Sequence, residues 1–304
     1  MPFRYNNQGP WYKGNTHIHT TASDGGKTCS EVAALYAGAG YHFLFATDHW
    51  HVSNATPAPL LWLDGVELDG HDHAKRYYHI VCLGKIEGIT KQMGFVHAVQ
   101  SAQAQGALLV LAHPFWTGNS FDDTTHFSFH GVEIYNHVCQ WLNGKGDGRV
   151  FWSEMLRQNP ETLAFAADDA HLKPEHPGWN GGWIMAHAPT LSAVAIIDAI
   201  RSGNYYSSCG PEFQHIEFDG TSVRITTSPV QFVRLVGPGS LGKRLGSFGS
   251  ERITAATLTV PPEWEYAYIE IEDGQGHRAW TNTLFTRGDP PSSRANNLAL
   301  PLAE

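Results

Sequence analysis

Short apolar runs alternate with amphipathic segments over the first two thirds of the chain. Runs bounded by glycine, proline or polar residues are typical of buried strands, and the predicted strands are 43–49, 78–84, 107–114, 131–136, 162–169 and 181–188. The predicted helices, of which the first begins at the capping residue Ser30, are 30–40, 94–106, 149–159 and 191–203. Strands that alternate with helices predict an α/β fold with a parallel sheet, and this many repeats favour a closed or nearly closed barrel.

The sequence pattern changes at about residue 213, where strand-like runs follow one another without helices between them. Asp219-Gly220 and Asp273-Gly274 are natural turn pairs for antiparallel strands. We therefore expect a barrel domain over 1–212 and a small antiparallel β appendage with its tail over 213–304. The tail, RGDPPSSRANNLALPLAE, either packs back on the barrel or is loose.

Composition indicates a globular protein with a substantial core, since 42% of the 304 residues are hydrophobic and 16% are charged. The net charge of −9 gives no sign of a broad basic face, so we expect neither a nucleic acid nor a membrane partner. The four cysteines form no CxxC pair, and the first residues contain no apolar run resembling a signal peptide. We expect a cytoplasmic protein with reduced thiols, and its oligomeric state stays open.

Histidine is unusually frequent: 18 histidines stand against 20 lysines and arginines together. Histidine is the commonest metal ligand, and in parallel α/β barrels functional groups cluster where strands end. The candidates at strand ends are His17, His19, His49, Glu67, His113, Asp169 and His171. Side chains two residues apart on a strand point to one side, so both imidazoles of His17 and His19 can reach one ion. A single HxH pair is weak evidence, but the ordered series predicts a metal centre, with His79 near the start of its strand as an outlier.

These motifs resemble those of the polymerase and histidinol phosphatase (PHP) family. The residues that carry the resemblance are His17-Ile18-His19, Asp24, Thr47-Asp48-His49, Glu67, His79, His113-Pro114 and Asp169-Ala170-His171. Within the family the chain is most similar to the CehA/McbA-like metallohydrolases, on the segments GVEIYNH (131–137) and AIRSGNYYSSCGPE (199–212). The resemblance implies a distorted (β/α)7 barrel that holds two or three divalent metal ions.

The resemblance also implies how the ligands are divided among the ions. The implied groups are His17, His19 and Asp169, joined through a bridging Glu67 to His79 and His113, and a separate third set of Asp24, His49 and His171. Asp24 stands where several family members have histidine, so the third site is harder and richer in oxygen. We therefore expect manganese or iron alongside zinc, with weak occupancy of the third site permitted.

Further residues near these motifs are candidates for supporting roles. Asp168 stands where the family motif usually has serine, and it either orients a metal ligand or is a solvated acid. Lys75 and Arg76, in a polar loop after Glu67, either contact a phosphate group of the substrate or are simply solvated.

A proton donor is sought among the histidines that the metal sites do not use. His187, at the end of the strand that follows the last metal motif, ranks first. His51 lies two residues after His49, and His137 follows a strand end and is also a candidate for binding substrate.

Two or three close cations lower the pKa of a shared water, polarise the electrophile and stabilise the leaving oxygen. Hydrolysis of a phosphate ester uses all three effects, and the chain has neither a GxSxG motif nor a glycine-rich phosphate loop. We therefore predict a multinuclear metal-dependent hydrolase, a phosphatase or phosphodiesterase, whose bridging hydroxide attacks a small phosphorylated molecule. One alternative is a carbamate, ester or amide hydrolase with the same site. The other is a non-catalytic module, which the many ligands oppose because structural zinc needs only four.

Overall fold

Strands and α-helices are mixed as far as residue 208, but they do not alternate strictly, since three strands follow one another between residues 43 and 83. The computed structural model describes residues 2–7, 9–53 and 55–286, so the predicted tail lies outside the described residues. The strands of this part are β1 (Trp11–Asn15), β2 (Phe43–Ala46), β3 (Leu61–His71), β4 (Tyr77–Leu83), β5 (Leu108–Leu111), β6 (Gly131–Asn136), β7 (Leu163–Ala167), β8 (Trp183–His187) and β9 (Tyr205–Ser208). The α-helices are α1 (Cys29–Gly38), α2 (Phe95–Ala104), α3 (Pro114–Thr117), α4 (His137–Asn143), α5 (Arg149–Gln158) and α6 (Ala193–Ser202), with 3-10 turns at Lys91–Met93 and Asp122–Thr125.

The strands after residue 212 follow one another without a helix among the described residues, as predicted. They are β10 (Phe213–Phe218), β11 (Ser222–Val230), β12 (Phe232–Val236), β13 (Gly242–Leu245), β14 (Ile253–Thr259), β15 (Tyr268–Glu272) and β16 (Arg278–Thr281). Strands β10, β11 and β14 form a separate three-stranded sheet. The other four extend the large sheet of the first part, because β16 pairs with β9.

Local sequence explains where the helices begin and end. Thr28, not Ser30, caps α1: its backbone N–H donates to the Glu31 carboxylate at 2.8 Å, and its side chain accepts from the Glu31 N–H. This reciprocal pair is a capping box. Helix α6 begins after Ser192, whose hydroxyl accepts from the Ala195 N–H, and ends at Gly203, whose φ of 74° suits a residue without a side chain.

The large sheet is mixed, so the expectation of a parallel sheet is only partly right. Its order is β13-β12-β15-β16-β9-β8-β1-β2-β3-β4-β5-β6-β7. The pairs β1–β2, β2–β3, β5–β6 and β6–β7 are parallel. Strand β4 is antiparallel to both of its neighbours, and so is β8. The connection 72–76 between β3 and β4 explains one reversal, because a hairpin of that length cannot make the crossover that parallel strands require.

The α/β class is confirmed, but a closed sheet is absent from the described part of the chain. The region after β7 approaches the region after β1 through one isolated parallel bridge between Ile18 and Ala170. Two backbone hydrogen bonds accompany it, from His19 N to Ala170 O at 3.0 Å and from Asp169 N to His17 O at 2.9 Å. This short contact brings the HxH segment beside the last predicted metal motif.

The buried strands pack on both faces, which explains their continuous apolar runs. In β5, Leu109 belongs to the apolar cluster that contains Trp152 of α5. Its neighbours Leu108 and Val110 belong to the cluster that contains Ile200 of α6. Alternate side chains therefore face opposite layers of helices. Across the described ranges, no helix combines the length and the apolar character that a bilayer crossing requires.

Candidate metal centre

The buried carboxylate of Glu67, in the middle of β3, is the shared centre of the candidate site. It lies within 3.4 Å of five imidazole rings, those of His17, His19, His49, His79 and His113. Its Oε2 is 3.2 Å from the Nε2 atoms of both residues of the HxH pair and 3.4 Å from His49 Nε2. Its Oε1 is 2.6 Å from His79 Nδ1 and 3.3 Å from His113 Nε2. Five imidazoles on one carboxylate suit a centre of more than one cation.

Strand pairing explains why His79 belongs to this group although it lies near the start of its strand. Because β4 runs antiparallel to β3, the start of β4 meets the later part of β3, and His79 pairs with Asp69. Glu67 and Asp69 are two residues apart on β3, so the His79 ring reaches the Glu67 carboxylate.

A second buried carboxylate, Asp169, faces the same imidazoles. Its Oδ1 is 3.3 Å from His17 Nε2 and 3.1 Å from His19 Nε2, and its Oδ2 is 3.7 Å from His113 Nε2. Asp169 has a φ of 57° and His113 one of 26°, values that are rare for residues other than glycine. Such backbone strain is found at functional sites that the surrounding structure holds in place.

The predicted third group is present but is not separate from the first. His171 Nε2 is 3.2 Å from Asp24 Oδ2, and His19 Nδ1 is 3.5 Å from Asp24 Oδ1. Ligand atoms of His49 also lie within 4.8 Å of all three residues. His19 therefore turns one ring nitrogen to each group. Asp24 is 45% exposed, whereas Glu67 is buried, so this third group is the one open to solvent.

In three of the candidate histidines, a hydrogen bond at Nδ1, the ring nitrogen that points away from the shared carboxylates, makes Nε2 suitable for binding a cation. Nδ1 of His17 contacts Glu133 Oε1 at 2.7 Å, Nδ1 of His49 contacts Asp69 Oδ1 at 3.0 Å, and Nδ1 of His171 contacts the Asp169 carbonyl at 2.9 Å. Each of these oxygens can only accept, so Nδ1 carries the proton and Nε2 of a neutral ring presents a lone pair. That lone pair faces a carboxylate in every case. Two electron-rich atoms repel at this distance unless a cation or a second proton lies between them.

Burial and the neighbouring carboxylates shift the pKa values of the candidate histidines when no metal is bound. Burial lowers the pKa of His17, but the negative charges of Asp169 and Glu67 outweigh it and raise that pKa well above its ordinary value. Burial also opposes protonation of His19, whose hydrogen bonds to the same carboxylates raise its pKa to about 9. Buried Nδ1 of His19 has no hydrogen-bond partner in the described ranges. Without metal the cluster therefore holds extra protons, which bound cations would displace. The donor set can hold divalent cations.

Glu133 is a buried carboxylate beside the candidate ligands that the sequence did not single out. It is 1% exposed in β6, where its Oε2 accepts hydrogen bonds from the His113 N–H and the Asn136 side chain, both at 2.9 Å. Together with its contact to His17, it links two of the candidate ligands. The available signal was a charged residue inside the apolar strand GVEIYN, since a carboxylate is buried only when it is paired.

Asp168 is fully buried, so its interpretation as a solvated acid is wrong. Its carboxylate accepts hydrogen bonds from Asn15 Nδ2 at 2.8 Å, from Tyr36 OH at 2.7 Å and from the three backbone N–H groups of residues 180–182. Asn15 Oδ1 in turn accepts from the His17 N–H at 3.1 Å. Through Asn15, Asp168 is linked to the backbone of His17, and three of its five hydrogen bonds hold the loop before β8.

The structure places His187, the predicted proton donor, at the other end of the strands from the candidate metal ligands. Strand β8 is antiparallel to β1, and His187 pairs with Trp11 at the start of β1. Its ring packs on Trp11 at 4.4 Å, and its Nδ1 contacts the Asn6 carbonyl. His17 lies six residues beyond Trp11, which is roughly 20 Å of extended chain. The prediction assumed that β8 ends at the same edge as the parallel strands.

The predicted substrate contacts do not reach the cavity at the metal cluster. Arg76 is bound to the Asp72 carboxylate at 2.6 Å, at the tip of the β3–β4 hairpin, and neither it nor Lys75 lines the cavity. His137 packs instead beneath Gly181, where a Cβ atom would lie 2.0 Å from its ring.

The candidate ligands open into a small cavity of about 180 Å³. The residues that line it besides the candidate ligands are Trp116, Val138, Cys139, Leu142 and His176. The cavity thus has one wall of imidazoles and carboxylates and a second wall that is largely apolar.

Comparison with solved structures relates this architecture to known proteins. A two-domain protein from Bacteroides vulgatus, described as containing a predicted PHP-like metal-dependent phosphoesterase, matches with a TM-score of 0.54 at 14% identity over 93% of this chain and 98% of its own. A candidate metal-dependent phosphoesterase from Bifidobacterium adolescentis matches with a TM-score of 0.40 at 14% identity, over 56% of this chain and 91% of its own. An amidohydrolase from Chromobacterium violaceum, with bound sulfate and no metal, matches with a TM-score of 0.38 at 16% identity, over 55% and 90%.

The likeness to the Bacteroides protein extends over nearly the whole of both chains. The chain therefore has the fold of a PHP-like protein, which confirms the predicted relation at the level of fold. No protein-family model matches the chain, and no curated protein does.

Proposed function

We propose that this protein is a multinuclear metal-dependent hydrolase that cleaves a phosphate ester of a small molecule. The proposal rests on the rings of His17, His49 and His171. In each ring an acceptor oxygen fixes Nδ1, and Nε2 faces the carboxylate of Glu67, Asp169 or Asp24. Divalent cations bound there would make a water molecule more acidic and neutralise charge on the phosphoryl oxygens.

The proposed ligand groups keep the division that the resemblance implies, with one change. They are His17, His19 and Asp169 for one ion, His79 and His113 for another with Glu67 shared, and Asp24, His49 and His171 for a third, to which His19 also contributes. Lys173 Nζ lies 3.7 Å from Asp24 Oδ2, and this positive charge supports weaker binding at the third site. Nitrogen and oxygen donors without a thiolate suit manganese, iron or zinc.

Residues of the chain that bind no metal have definite tasks in this proposal. Glu133 and Asp69 hold the rings of His17 and His49 in the tautomer that leaves Nε2 free. Lys173 supplies a cation beside the cluster for an anionic substrate, which the net charge of −9 would otherwise repel.

The choice of a phosphate ester and of the sub-family goes further than the shared fold. The description of the Bacteroides protein as a phosphoesterase supports the phosphate ester. Membership of the CehA/McbA-like group rests on the resemblance of the segments GVEIYNH (131–137) and AIRSGNYYSSCGPE (199–212). We also propose that residues 1–212 form the metal-binding domain, because all the proposed ligands lie in that range, with 213–304 as the appendage.

Metal analysis and a substrate panel test the proposal. We expect at least two equivalents of metal per chain, and turnover of p-nitrophenyl phosphate or bis-p-nitrophenyl phosphate with manganese or zinc. Turnover of an aryl carbamate alone would overturn the phosphoesterase assignment and favour the carbamate, ester or amide alternative. Fewer than two equivalents would refute the multinuclear site, and full metal content without any turnover would favour the non-catalytic module.

A further inference from the structure

Large apolar side chains are exposed on two short helices beside the metal cavity. On α3, Phe115 is 46% exposed, and on α4, Trp141 and Leu142 are 49% and 43% exposed. Trp116, the neighbour of Phe115, lines the cavity together with Leu142. We call these four residues the apolar rim. Exposed apolar patches next to a polar site commonly mark the place where a ligand binds.

The rim is continuous with the candidate metal ligands. The Trp116 ring meets the His113 ring edge to face at 5.2 Å. On the other side, the His176 ring lies 6.0 Å from that of His171 and 6.1 Å from that of Trp141. The apolar rim and the metal cluster are therefore two parts of one binding surface.

The cavity is too small to enclose a whole substrate, so we expect different groups of the substrate to contact the candidate ligands and the apolar rim. Pockets that enclose a whole drug-sized ligand measure about 300–1,000 Å³. This cavity holds about 180 Å³, so it encloses a small group and leaves the rest of the substrate outside. The wall of candidate metal ligands suits the anionic group once divalent cations are bound there, and the apolar rim suits an uncharged organic group.

We propose that the substrate is a phosphate ester of an aromatic or bulky apolar alcohol, with its organic group on the apolar rim. This inference rests on the proposed function and names the substrate class of the same site. Hydrolysis breaks the bond between phosphorus and the leaving oxygen and forms one between phosphorus and a water oxygen. A proton from that water passes to the leaving oxygen, so the products are the alcohol and phosphate. An apolar surface favours such an alcohol over a sugar or glycerol, whose hydroxyls would lose hydrogen bonds to water there.

The test compares 1-naphthyl phosphate with glycerol 2-phosphate for the metal-loaded full chain and for the variants Trp141→Ala and Leu142→Ser. For the unmodified protein we expect higher kcat/KM with 1-naphthyl phosphate. Each variant should lower kcat/KM for 1-naphthyl phosphate about tenfold, mainly through KM. The reason is that it removes roughly half of the apolar area that the naphthyl group would bury on the rim. Turnover of glycerol 2-phosphate should stay within about twofold. Phe248→Ala, which removes an aromatic side chain that is 87% exposed and does not line the cavity, should change neither substrate.

Binding of phenylphosphonate and methylphosphonate, measured by calorimetry, gives a readout that does not depend on turnover. We expect phenylphosphonate to bind more tightly, and the rim variants to remove the difference. Equal turnover of both esters, or equal losses for both in the variants, would overturn the inference alone. Absence of turnover with every phosphate ester would overturn the proposed function and the inference with it.

Discussion

Glu133 Oε1 lies 2.7 Å from His17 Nδ1, and this buried contact leaves Nε2 of His17 to face Glu67 and Asp169. Glu133→Gln keeps the shape of the side chain but removes its charge and lets the amide present a donor to the ring. We expect affinity for divalent metal to fall about 10- to 100-fold, as when other partners of metal-binding histidines are lost. Competition with a chelator measures the affinity. Glu154→Gln, at a surface ion pair with Arg157, is the matched control, and an unchanged affinity in Glu133→Gln would refute the assigned role.

Replacement of Asp168 should lower stability, whereas replacement of the adjacent Asp169 should lower metal content and turnover. Asp168→Ala removes the acceptor of five hydrogen bonds in the interior, so we expect the free energy of unfolding to fall by about 4 kcal/mol or more. Asp169→Ala should leave the fold largely intact but lower the bound metal below two equivalents and abolish turnover, as should His17→Ala. Chemical denaturation and metal analysis of the variants separate the two effects. Retained turnover in both Asp169→Ala and His17→Ala would contradict the ligand assignment.

Lys173 is expected to weaken the third metal site, since its ammonium lies 3.7 Å from Asp24. Lys173→Met removes this competing charge, and we expect the weakest bound equivalent of metal to bind about three- to tenfold more tightly. Titration with manganese, followed by its effect on water relaxation, measures the equivalents one by one. Lys85→Met, at a surface pair with Glu87, should have no effect. Weaker binding in Lys173→Met would mean that this lysine supports the site instead.

The metal-free protein should lose stability as pH rises. The pKa of His19 is raised from 6.5 to about 9 in the folded state, so its charged form stabilises the fold fully below about pH 6.5, and this contribution is lost as pH rises through about 9. Over the same interval metal affinity should increase, because fewer protons must be displaced. Thermal unfolding with excess chelator, with His19→Gln as control, tests the first effect. A metal-free stability that does not change between about pH 6.5 and 9 would contradict the assignment.

His187 should be dispensable for turnover despite its position at a strand end. It pairs with Trp11, far from His17, so His187→Gln should change kcat by less than about twofold. The pH profile of kcat should also keep its shape. A loss of kcat of a hundredfold with an unchanged fold would restore His187 as proton donor.

Much of the site was predictable because its ligands follow local rules. Residues two apart on a strand share a side, and this rule is sufficient to place His17 with His19. Apolar runs marked most of the strands, and spacing marked the long helices, although Thr28 rather than Ser30 caps the first. The resemblance to PHP proteins added a division into ion groups, which stays a prediction; the structure brings these residues together but places His49, and not His113, in one group with Glu67 and His79.

Sequence by itself therefore determined the α/β class, the approximate positions of most strands and of the four long helices, and the candidate metal ligands. Tertiary structure alone decided that β8 is antiparallel to β1, that Glu133 fixes His17 and that His19 serves two groups. It also decided that the apolar rim lies beside the cavity. The physical reason is that periodicity reports which side chains are buried. The direction of a strand and the identity of its neighbours depend on contacts between residues far apart in the chain.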